Sequence, residues 1–226
     1  MTEIFEVFCP EGALSLSDVM TALERAAVAH ATDLHIDHDR MLADYGCLWM
    51  VVRCRLLLSR LPEGAFTVKT WLRHPTAAVS NRDFSIFDAN GECGTAVQTW
   101  VLADEKERRI VPMKSVAALR ELPTPTPERT DVLKRINLPI DMTESAHWEI
   151  NPSLTDSNGH LNNVAYVRRA EALVSPGCTA LEVIFDRECF AGETLTLRTA
   201  EGDGTFVCGV KESGEESFRA RFWRNL

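Results

Sequence analysis

Hydrophobic residues near the start of the chain recur at the spacing of a helix. Between Leu14 and Thr32 they return every three or four residues, which places them on one face. Ser15 or Ser17 precedes this stretch and Asp18 follows, as at a capped helix N-terminus. The pattern therefore predicts one amphipathic helix in the first part of the chain.

Stretches of alternating apolar and polar residues follow this helix and predict β-strands. In the first half they lie at Leu48–Arg60, Ala65–His74, Val79–Asp88 and Gly94–Ala103. Asn90 and Gly91, between the last two, are a strong signal for a tight hairpin. Four strands joined by short turns after one helix predict an antiparallel meander wrapped on that helix.

The same order of elements recurs in the second half. A short strand at His147–Ile150 precedes a helical segment at Asn162–Val174. Further strand patterns lie at Leu181–Cys189, Glu193–Thr199, Thr205–Lys211 and Ser217–Trp223. Residues 59–71 also align with residues 188–199, because each has a glycine turn followed by strict alternation. We therefore predict an α+β fold of two helix-plus-antiparallel-sheet units in tandem.

A proline-rich segment, Leu122–Glu128, separates the two halves and predicts an extended connection. The predicted N-terminal unit is residues 1–128, with this segment at its end, and the predicted C-terminal unit is residues 129–226. A chain of 226 residues that is 45% hydrophobic has enough apolar material for a sizeable core.

Charge and hydropathy narrow the classes of function. The chain has 24 Lys and Arg against 33 Asp and Glu, a net charge of −9. This argues against a nucleic-acid-binding protein, which needs positive surface. No stretch of the sequence reaches the ~18 apolar residues of a membrane span, and the N-terminus is acidic where a signal peptide is basic. We therefore expect a cytoplasmic protein without nucleic-acid or membrane partners.

The cysteine and histidine content does not favour a metal site. The seven cysteines form no C-x-x-C pair, and we expect most of them to be reduced and buried in strands. Residues 33–39 (DLHIDHD) contain metal-ligand residue types, but a solvated polar loop explains them better because no cysteine lies nearby. The sequence predicts neither a metal nor a cofactor.

The densest group of chemically capable residues lies between Thr155 and Tyr166, just before the second predicted helix. Asp156, Asn158 and His160 alternate, so their side chains would point the same way in an extended segment. A carboxylate, an amide and an imidazole beside a helix N-terminus can hold a water and stabilise an oxyanion. The simpler alternative is a turn and helix cap, for which Asp, Ser, Asn and Gly are common.

This run resembles the motif of a known family. The pattern D-x-N-x-H-x-N-N-x-x-Y at residues 156–166, followed by Arg-Glu-Cys at residues 187–189, is similar to that of the acyl-acyl carrier protein thioesterases of bacteria and plant plastids. Looser similarity occurs at residues 49–55 (WMVVRCR) and in the strand around Trp100. The resemblance covers most of the chain.

The resemblance implies a double hotdog fold, in which each unit is a long helix wrapped by an antiparallel sheet. It also implies a thioesterase that hydrolyses fatty acyl-acyl carrier protein thioesters, with one active site contributed mainly by the C-terminal unit. The N-terminal unit would be non-catalytic and would help to form the acyl tunnel. In keeping with this asymmetry, the residue aligned with Glu188 in the first half is Arg60.

For the site, the resemblance implies four catalytic residues: Asp156, Asn158, His160 and Glu188. Asp156 or Glu188 would be the general base that activates water. His160 would orient the water or the carboxylates, and Asn158 would help to fix the thioester carbonyl. Backbone N–H groups of residues 159–162 would complete an oxyanion site. Two neighbouring carboxylates should also raise the pKa of one of them.

Two further residues are possible participants in the chemistry. Cys189 would be a nucleophile if His160 activated it, but a strand cysteine beside a glutamate lacks the positive surroundings that lower a thiol pKa. Asn162 fits a helix cap better than a reacting group.

The resemblance implies that acyl carrier protein delivers the substrate. The candidates for contacts with its acidic surface are Arg168, Arg169, Lys134, Arg135 and Arg187. Acyl-coenzyme A is an alternative substrate. A hotdog dehydratase and a non-catalytic protein that binds acyl thioesters are alternative functions, since a fold does not define a reaction. Tandem units permit a monomer, and pairing of sheet edges would give a homodimer.

Overall fold

The structure is a computed structural model that describes residues 3–125, 132–156 and 159–225. Its helices are α1 (Leu16–Asp33), α2 (His38–Tyr45) and α3 (Asn163–Glu171), with short 3₁₀ turns at Met113–Ser115, Ala117–Leu119 and Pro152–Leu154. Its strands are β1 (Phe5–Cys9), β2 (Cys47–Leu58), β3 (Phe66–Leu72), β4 (Ser80–Asp88), β5 (Gly91–Asp104), β6 (Ile110–Val111), β7 (Thr143–Glu149), β8 (Ala180–Phe185), β9 (Thr194–Gly202), β10 (Gly204–Lys211) and β11 (Glu216–Trp223). Within these ranges, no helix has both the length and the apolar character needed to cross a membrane.

The described strands form one large antiparallel sheet in the order β1-β3-β4-β5-β2-β8-β11-β10-β9-β7, with β6 paired to β5. The order of the first half, β1-β3-β4-β5-β2, is matched by β7-β9-β10-β11-β8 in the second. In each half one strand of this order precedes a helix, α1 or α3, and the other four strands follow it, while the short strand β6 is an addition to the first half. The expected fold class, α+β with two helix-plus-sheet units in tandem, is confirmed.

Strands β2 and β8 join the two halves into a continuous sheet. Their register runs from Arg53 opposite Ile184 to Leu57 opposite Ala180. Strand β2 also pairs with β5 on its other side. A strand that is hydrogen-bonded on both sides lies in the middle of a sheet, which agrees with its long, largely apolar sequence.

Helix α1 begins where its sequence provides a cap. The hydroxyl of Ser15 accepts a hydrogen bond from the backbone N–H of Asp18 at 3.1 Å. Leu23 and Ala26 on the predicted stripe are completely buried. They belong to one hydrophobic core that also includes Val167 of α3, so the two halves share a core.

A carboxylate of α3 joins the two helices at the N-terminus of α1. The two side-chain oxygens of Glu171 accept hydrogen bonds from Leu16 N at 2.8 Å and Ser17 N at 3.0 Å. The first N–H groups of a helix have no partner within it, and they carry partial positive charge. Glu171 therefore satisfies two of them and links the helix of one half to the helix of the other.

The polar segment at residues 33–39 agrees only in part with its predicted structure as a loop, because residues 34–37 connect α1 to α2 while its two ends belong to these helices. Asp37 is the N-cap of α2, and its carboxylate accepts a hydrogen bond from Arg40 N at 3.3 Å. Leu34 and Ile36 are buried in a second hydrophobic cluster. The sequence pattern did not predict α2, because this helix has only eight residues and polar or charged side chains make up half of them.

Strand β8 ends at Phe185, short of the predicted end at Cys189. The N–H groups of Asp186 and Arg187 both donate to the carbonyl of Ser217, at 2.8 and 3.0 Å. This shared acceptor ends the regular ladder with β11. The residues that follow, including Glu188, therefore leave the sheet.

The predicted boundary between residues 128 and 129 and the end of the proline-rich segment lie outside the described residues. The chain after residue 131 crosses the face of the sheet opposite the helices. There Arg53 donates to Leu133 O at 2.9 Å, and Ile136 packs against Ile184. The division into units 1–128 and 129–226 remains a proposal.

We expect Glu171→Ala to lower the free energy of unfolding by about 1–2 kcal/mol, because α1 loses both acceptors of its first N–H groups. Urea denaturation followed by circular dichroism would measure the change. Glu212→Ala, on the exposed turn between β10 and β11, is the matched control and should change stability by no more than about 0.5 kcal/mol. Equal midpoints for the two variants would contradict the capping role.

Candidate active site

A cavity of about 620 Å³ contains most of the predicted catalytic residues. Its volume lies within the ordinary range for small-molecule sites. The first half lines it with apolar side chains, including Met20, Ala27, Ile36, Trp49, Leu72 and Trp100. The second half contributes a polar group that comprises Asp156, His160, Asn162, Asn163, Asp186, Arg187 and Glu188. The cavity therefore combines a polar group with an extended apolar surface, as a fatty acyl thioester would require.

A short turn holds Asp156 and His160 together. His160 N donates to Asp156 Oδ1 at 3.0 Å, and Asp156 N donates to the carbonyl of His160 at 2.7 Å. Gly159 has a φ of +77°, a left-handed conformation that glycine adopts without strain. The turn that the sequence offered as the simpler alternative is thus observed, and both side chains still line the cavity. Asn158 lies outside the described residues.

Glu188 lies beside His160. The Nδ1 atom of His160 and the Oε1 atom of Glu188 are 3.7 Å apart, and both side chains are largely buried. An isolated β-bridge pairs His160 with Phe190, and the imidazole contacts the Phe190 ring edge-on with centroids 5.1 Å apart. This pairing brings the loop after Asp156 next to the segment that leaves β8.

Glu188 has a second partner from the first half of the chain. Its other carboxylate oxygen contacts the guanidinium of Arg108. Arg108 has a φ of +54°, which is uncommon for a residue with a side chain. Asp104 holds this turn by accepting hydrogen bonds from Glu107 N and Lys106 N at 2.8 and 3.0 Å, and the bond from Glu107 is the main cause that lowers the pKa of Asp104. No sequence signal linked Arg108 to the site.

Glu24 on α1 is a carboxylate of the site that the sequence analysis missed. Its Oε1 accepts a hydrogen bond from Asn162 Nδ2 at 3.0 Å, and it lines the same cavity. Burial raises the pKa of Glu24, the negative charge of Asp156 adds to the increase, and the hydrogen bond from Asn162 opposes it. The raised carboxyl pKa at Glu24 was not expected from the sequence. In the sequence pattern of α1, Glu24 looks like an ordinary solvated glutamate, so nothing marked it as part of a site.

Asn162 connects the N-terminus of α3 to Glu24. Its Oδ1 accepts a hydrogen bond from Val164 N at 2.7 Å, so it is the N-cap of the helix, as its sequence position predicted. Its side-chain nitrogen donates to Glu24. One amide therefore caps the helix of the second half and binds the helix of the first.

The backbone N–H groups of residues 159–162 do not form the expected oxyanion site. They donate in turn to Asp156 O, Asp156 Oδ1, Cys189 O and Leu154 O, at 3.0, 3.0, 2.8 and 3.0 Å. That expectation is wrong, because the pairing that closes the loop uses these donors.

The thiol of Cys189 lies in a buried polar cluster. Its Sγ atom is 2.9 Å from the hydroxyl of Ser217, which itself donates to the carbonyl of Arg187 at 2.9 Å. Cys189 is completely buried and is not one of the described residues that line the cavity. The described contacts of the thiol therefore do not include His160, the residue that would have to activate it.

Comparisons with known proteins identify relatives of the chain. The family model of the acyl-ACP thioesterase N-terminal domain matches residues 8–117. No curated protein sequence matches the chain. Among solved structures, an acyl-ACP thioesterase from Bacteroides thetaiotaomicron has a TM-score of 0.87 at 19% identity, over 98% of this chain and 99% of that chain. A 12:0-ACP thioesterase from Umbellularia californica has a TM-score of 0.77 at 20% identity, over 98% and 97%.

A more distant likeness shows that the fold is not limited to thioesterases. A MaoC-like dehydratase from Phytophthora capsici has a TM-score of 0.55 at 13% identity, over 79% of this chain and 72% of that chain. At such identities a structural likeness establishes the fold alone, which here is the expected double hotdog. The likeness in sequence rests on the family model, which matches slightly less than half of the chain. Residues 8–117 therefore resemble the N-terminal domain of acyl-ACP thioesterases, and the chain as a whole shares the fold of the solved acyl-ACP thioesterases.

Proposed function

We propose that the protein hydrolyses fatty acyl-acyl carrier protein thioesters and releases free fatty acid. The observation that carries the proposal is the pair of Glu188 and His160, which lie side by side in a cavity that also offers a long apolar surface. The acyl chain would lie against the apolar side chains of the first half. The thioester carbonyl would lie beside the carboxylate and the imidazole.

Glu188 is the general base in this proposal. Its Oε1 faces His160, and the contact with Arg108 holds its other oxygen in place. Asp156 has a different task, because its Oδ1 accepts the N–H of His160 and so helps to set the position of that residue. A general base needs access to the reacting water and a defined orientation. Glu188 lines the cavity, and its contacts with His160 and Arg108 orient its two oxygens.

The reaction needs one water for each thioester. Glu188 takes a proton from the water while the oxygen of that water attacks the carbonyl carbon of the thioester. The carbonyl oxygen thereby becomes an oxyanion. When the oxyanion collapses, the carbon–sulfur bond breaks and the thiol of the carrier leaves. The proton held by Glu188 passes to the departing sulfur, which restores the carboxylate.

Glu24 is a positioning residue in this proposal. It binds Asn162, which caps α3 directly after the loop that carries His160. Protonation of Glu24 would remove the charge that strengthens this hydrogen bond. The helix of the first half would thereby influence the geometry of a site built mainly by the second.

Acyl carrier protein is the proposed source of the acyl group. The match to the model of the acyl-ACP thioesterase N-terminal domain supports this source. Two arginines that line the cavity, Arg108 and Arg187, also support it, because they can bind an acidic partner. The net charge of −9 opposes the approach of an acidic protein, so the attraction must be local. Acyl-coenzyme A thioesters are the alternative substrates.

We expect Glu188→Gln to lower kcat for a long-chain acyl-acyl carrier protein by at least about 100-fold, because the base is lost while the shape of the side chain is kept. A thiol-detecting assay with matched acyl-acyl carrier protein and acyl-coenzyme A substrates would measure this loss and the carrier preference together. Asp156→Ala should lower kcat less, since it affects the base through His160.

Two matched variants serve as controls for this experiment. Glu215→Gln replaces an exposed carboxylate that pairs with Arg187 at 3.3 Å, and it should leave kcat unchanged. Cys189→Ala should also keep kcat close to that of the wild type. Loss of activity in Cys189→Ala alone would overturn the carboxylate mechanism in favour of a covalent one. Absence of thiol release from every thioester, with the protein folded, would favour a dehydratase or a binding protein.

We expect Glu24→Gln and Glu24→Ala to behave differently. Glutamine keeps an oxygen that can accept from Asn162 but lacks the charge, as protonated Glu24 does, so kcat/KM at neutral pH should fall severalfold, to the level that the wild type reaches once Glu24 is protonated. Alanine removes the acceptor as well and should lower kcat/KM about tenfold or more. Because the pKa of Glu24 is raised, kcat/KM of the wild type should fall on the acid side at a higher pH than for an ordinary glutamate. Glu24→Gln should remove that step. Superimposable pH profiles for all three proteins would refute the positioning role.

A further inference from the structure

The cavity contains a buried cation that the proposed hydrolysis does not use. Arg82, in β4, lines the cavity and is only 4% exposed. Its Nη1 lies 2.8 Å from His30 Nδ1 and donates to Thr70 Oγ1 at 3.2 Å. Among the described residues, no carboxylate lies within ion-pair distance of this guanidinium. A buried charge without a counter-charge is unfavourable unless other groups compensate it.

Two further polar atoms near Arg82, one from Gln98 and one from Trp100, have no hydrogen-bond partner among the described residues. Gln98 stands opposite Arg82 in the register of β4 and β5, and Trp100 follows on the same face of β5. Both side chains line the cavity. The Oε1 atom of Gln98 and the Nε1 atom of Trp100 are buried and form no hydrogen bond with any described residue. Buried polar atoms are nearly always paired, so these two require an explanation.

A hydroxyl group fits all three side chains. It can accept a hydrogen bond from the guanidinium of Arg82 or from Trp100 Nε1, and it can donate to Gln98 Oε1. A plain methylene chain can form none of these bonds. A carboxylate has no hydrogen to give to Gln98 Oε1, so it would leave that acceptor unpaired. The three groups are therefore better matched to a hydroxyl than to an anion or an alkyl chain.

The position of this polar group indicates where the hydroxyl would lie on the acyl chain. His30, the partner of Arg82, follows Glu24 by six residues on α1, which corresponds to about 9 Å along the helix axis. Glu24 marks the part of the cavity where Asn162 and the catalytic loop lie. The hydroxyl would therefore be several carbons away from the thioester.

We propose that the preferred substrates are acyl thioesters with a hydroxyl group in the middle of the chain, bound by Arg82, Gln98 and Trp100. The inference rests on the proposed hydrolysis, because the acyl chain must occupy this cavity. The hydroxyl site would add polar recognition to a cavity that would otherwise select acyl chains by their length and apolar contacts.

The test compares acyl thioesters of equal chain length that are unsubstituted, hydroxylated in mid-chain, hydroxylated next to the thioester, or carboxylated at the far end. We expect kcat/KM for the mid-chain hydroxyl substrate to exceed that for the unsubstituted one by about tenfold, as one or two buried hydrogen bonds imply. Equal rates for these two substrates, or a preference for either of the other chains, would overturn the proposal.

Gln98→Leu is the most informative variant, because it removes the unpaired acceptor and keeps a side chain of similar size. It should reduce severalfold the ratio of kcat/KM for the mid-chain hydroxyl substrate to kcat/KM for the unsubstituted one, both measured with the same variant. Trp100→Phe should act in the same direction. Arg221→Met is the matched arginine control, since Arg221 stacks on Phe206 and Trp223 and does not line the cavity. A preference that survives Gln98→Leu and Trp100→Phe unchanged would contradict the assignment.

Calorimetric binding of the free fatty acids separates this proposal from the hydrolysis itself. The mid-chain hydroxy acid should bind about tenfold more tightly than the unsubstituted acid, and Gln98→Leu should abolish most of that difference. If no thioester is hydrolysed but the binding preference is present, the proposed function fails and the hydroxyl site stands. If hydrolysis occurs and the two acids bind equally, the hydroxyl site is wrong and the hydrolysis stands.

Discussion

The contact between α1 and α3 is the interaction on which the fold and the candidate site both depend. Glu171 at the end of α3 accepts the first N–H groups of α1, and Glu24 on α1 accepts the amide of Asn162 at the start of α3. Both carboxylates therefore bind neutral donors of the opposite half. Because Asn162 directly follows the loop that carries His160, the helix packing also determines where the proposed catalytic groups lie.

The aligned positions of Arg60 in the first half and Glu188 in the second carry side chains of opposite charge. In the first half Arg60 forms a bidentate contact with Asp88 at the end of β4, and its hydrogen bonds are the main cause that lowers the pKa of Asp88. The aligned residue in the second half is Glu188, which turns to the cavity and meets Arg108 from the first half. A position that anchors a hairpin in one half thus provides the proposed catalytic carboxylate in the other, so a repeated fold need not repeat its polar site.

The part of the site that could be predicted is the part built from neighbours in the sequence. Asp156 and His160 are joined by hydrogen bonds within one turn, and Asn162 caps the helix that begins directly after it. Glu24 and Arg108 could not be predicted, because each reaches the cavity through contacts between distant segments. The prediction of an oxyanion site was wrong for a related reason. Acceptors outside the loop, such as the carbonyl of Cys189, already receive hydrogen bonds from some of those N–H groups.

The sequence by itself determined the number, type and order of nearly all the elements, because periods of two and of about four residues are local consequences of strand and helix geometry. It also determined the second-half motif and hence the family resemblance. Only the tertiary structure decided that β2 and β8 join the halves, that β8 ends before Glu188, and that Arg82 is buried with no carboxylate of the described residues within ion-pair distance. Such features depend on which distant groups satisfy each hydrogen bond and charge, and periodicity along the chain carries no information about that pairing.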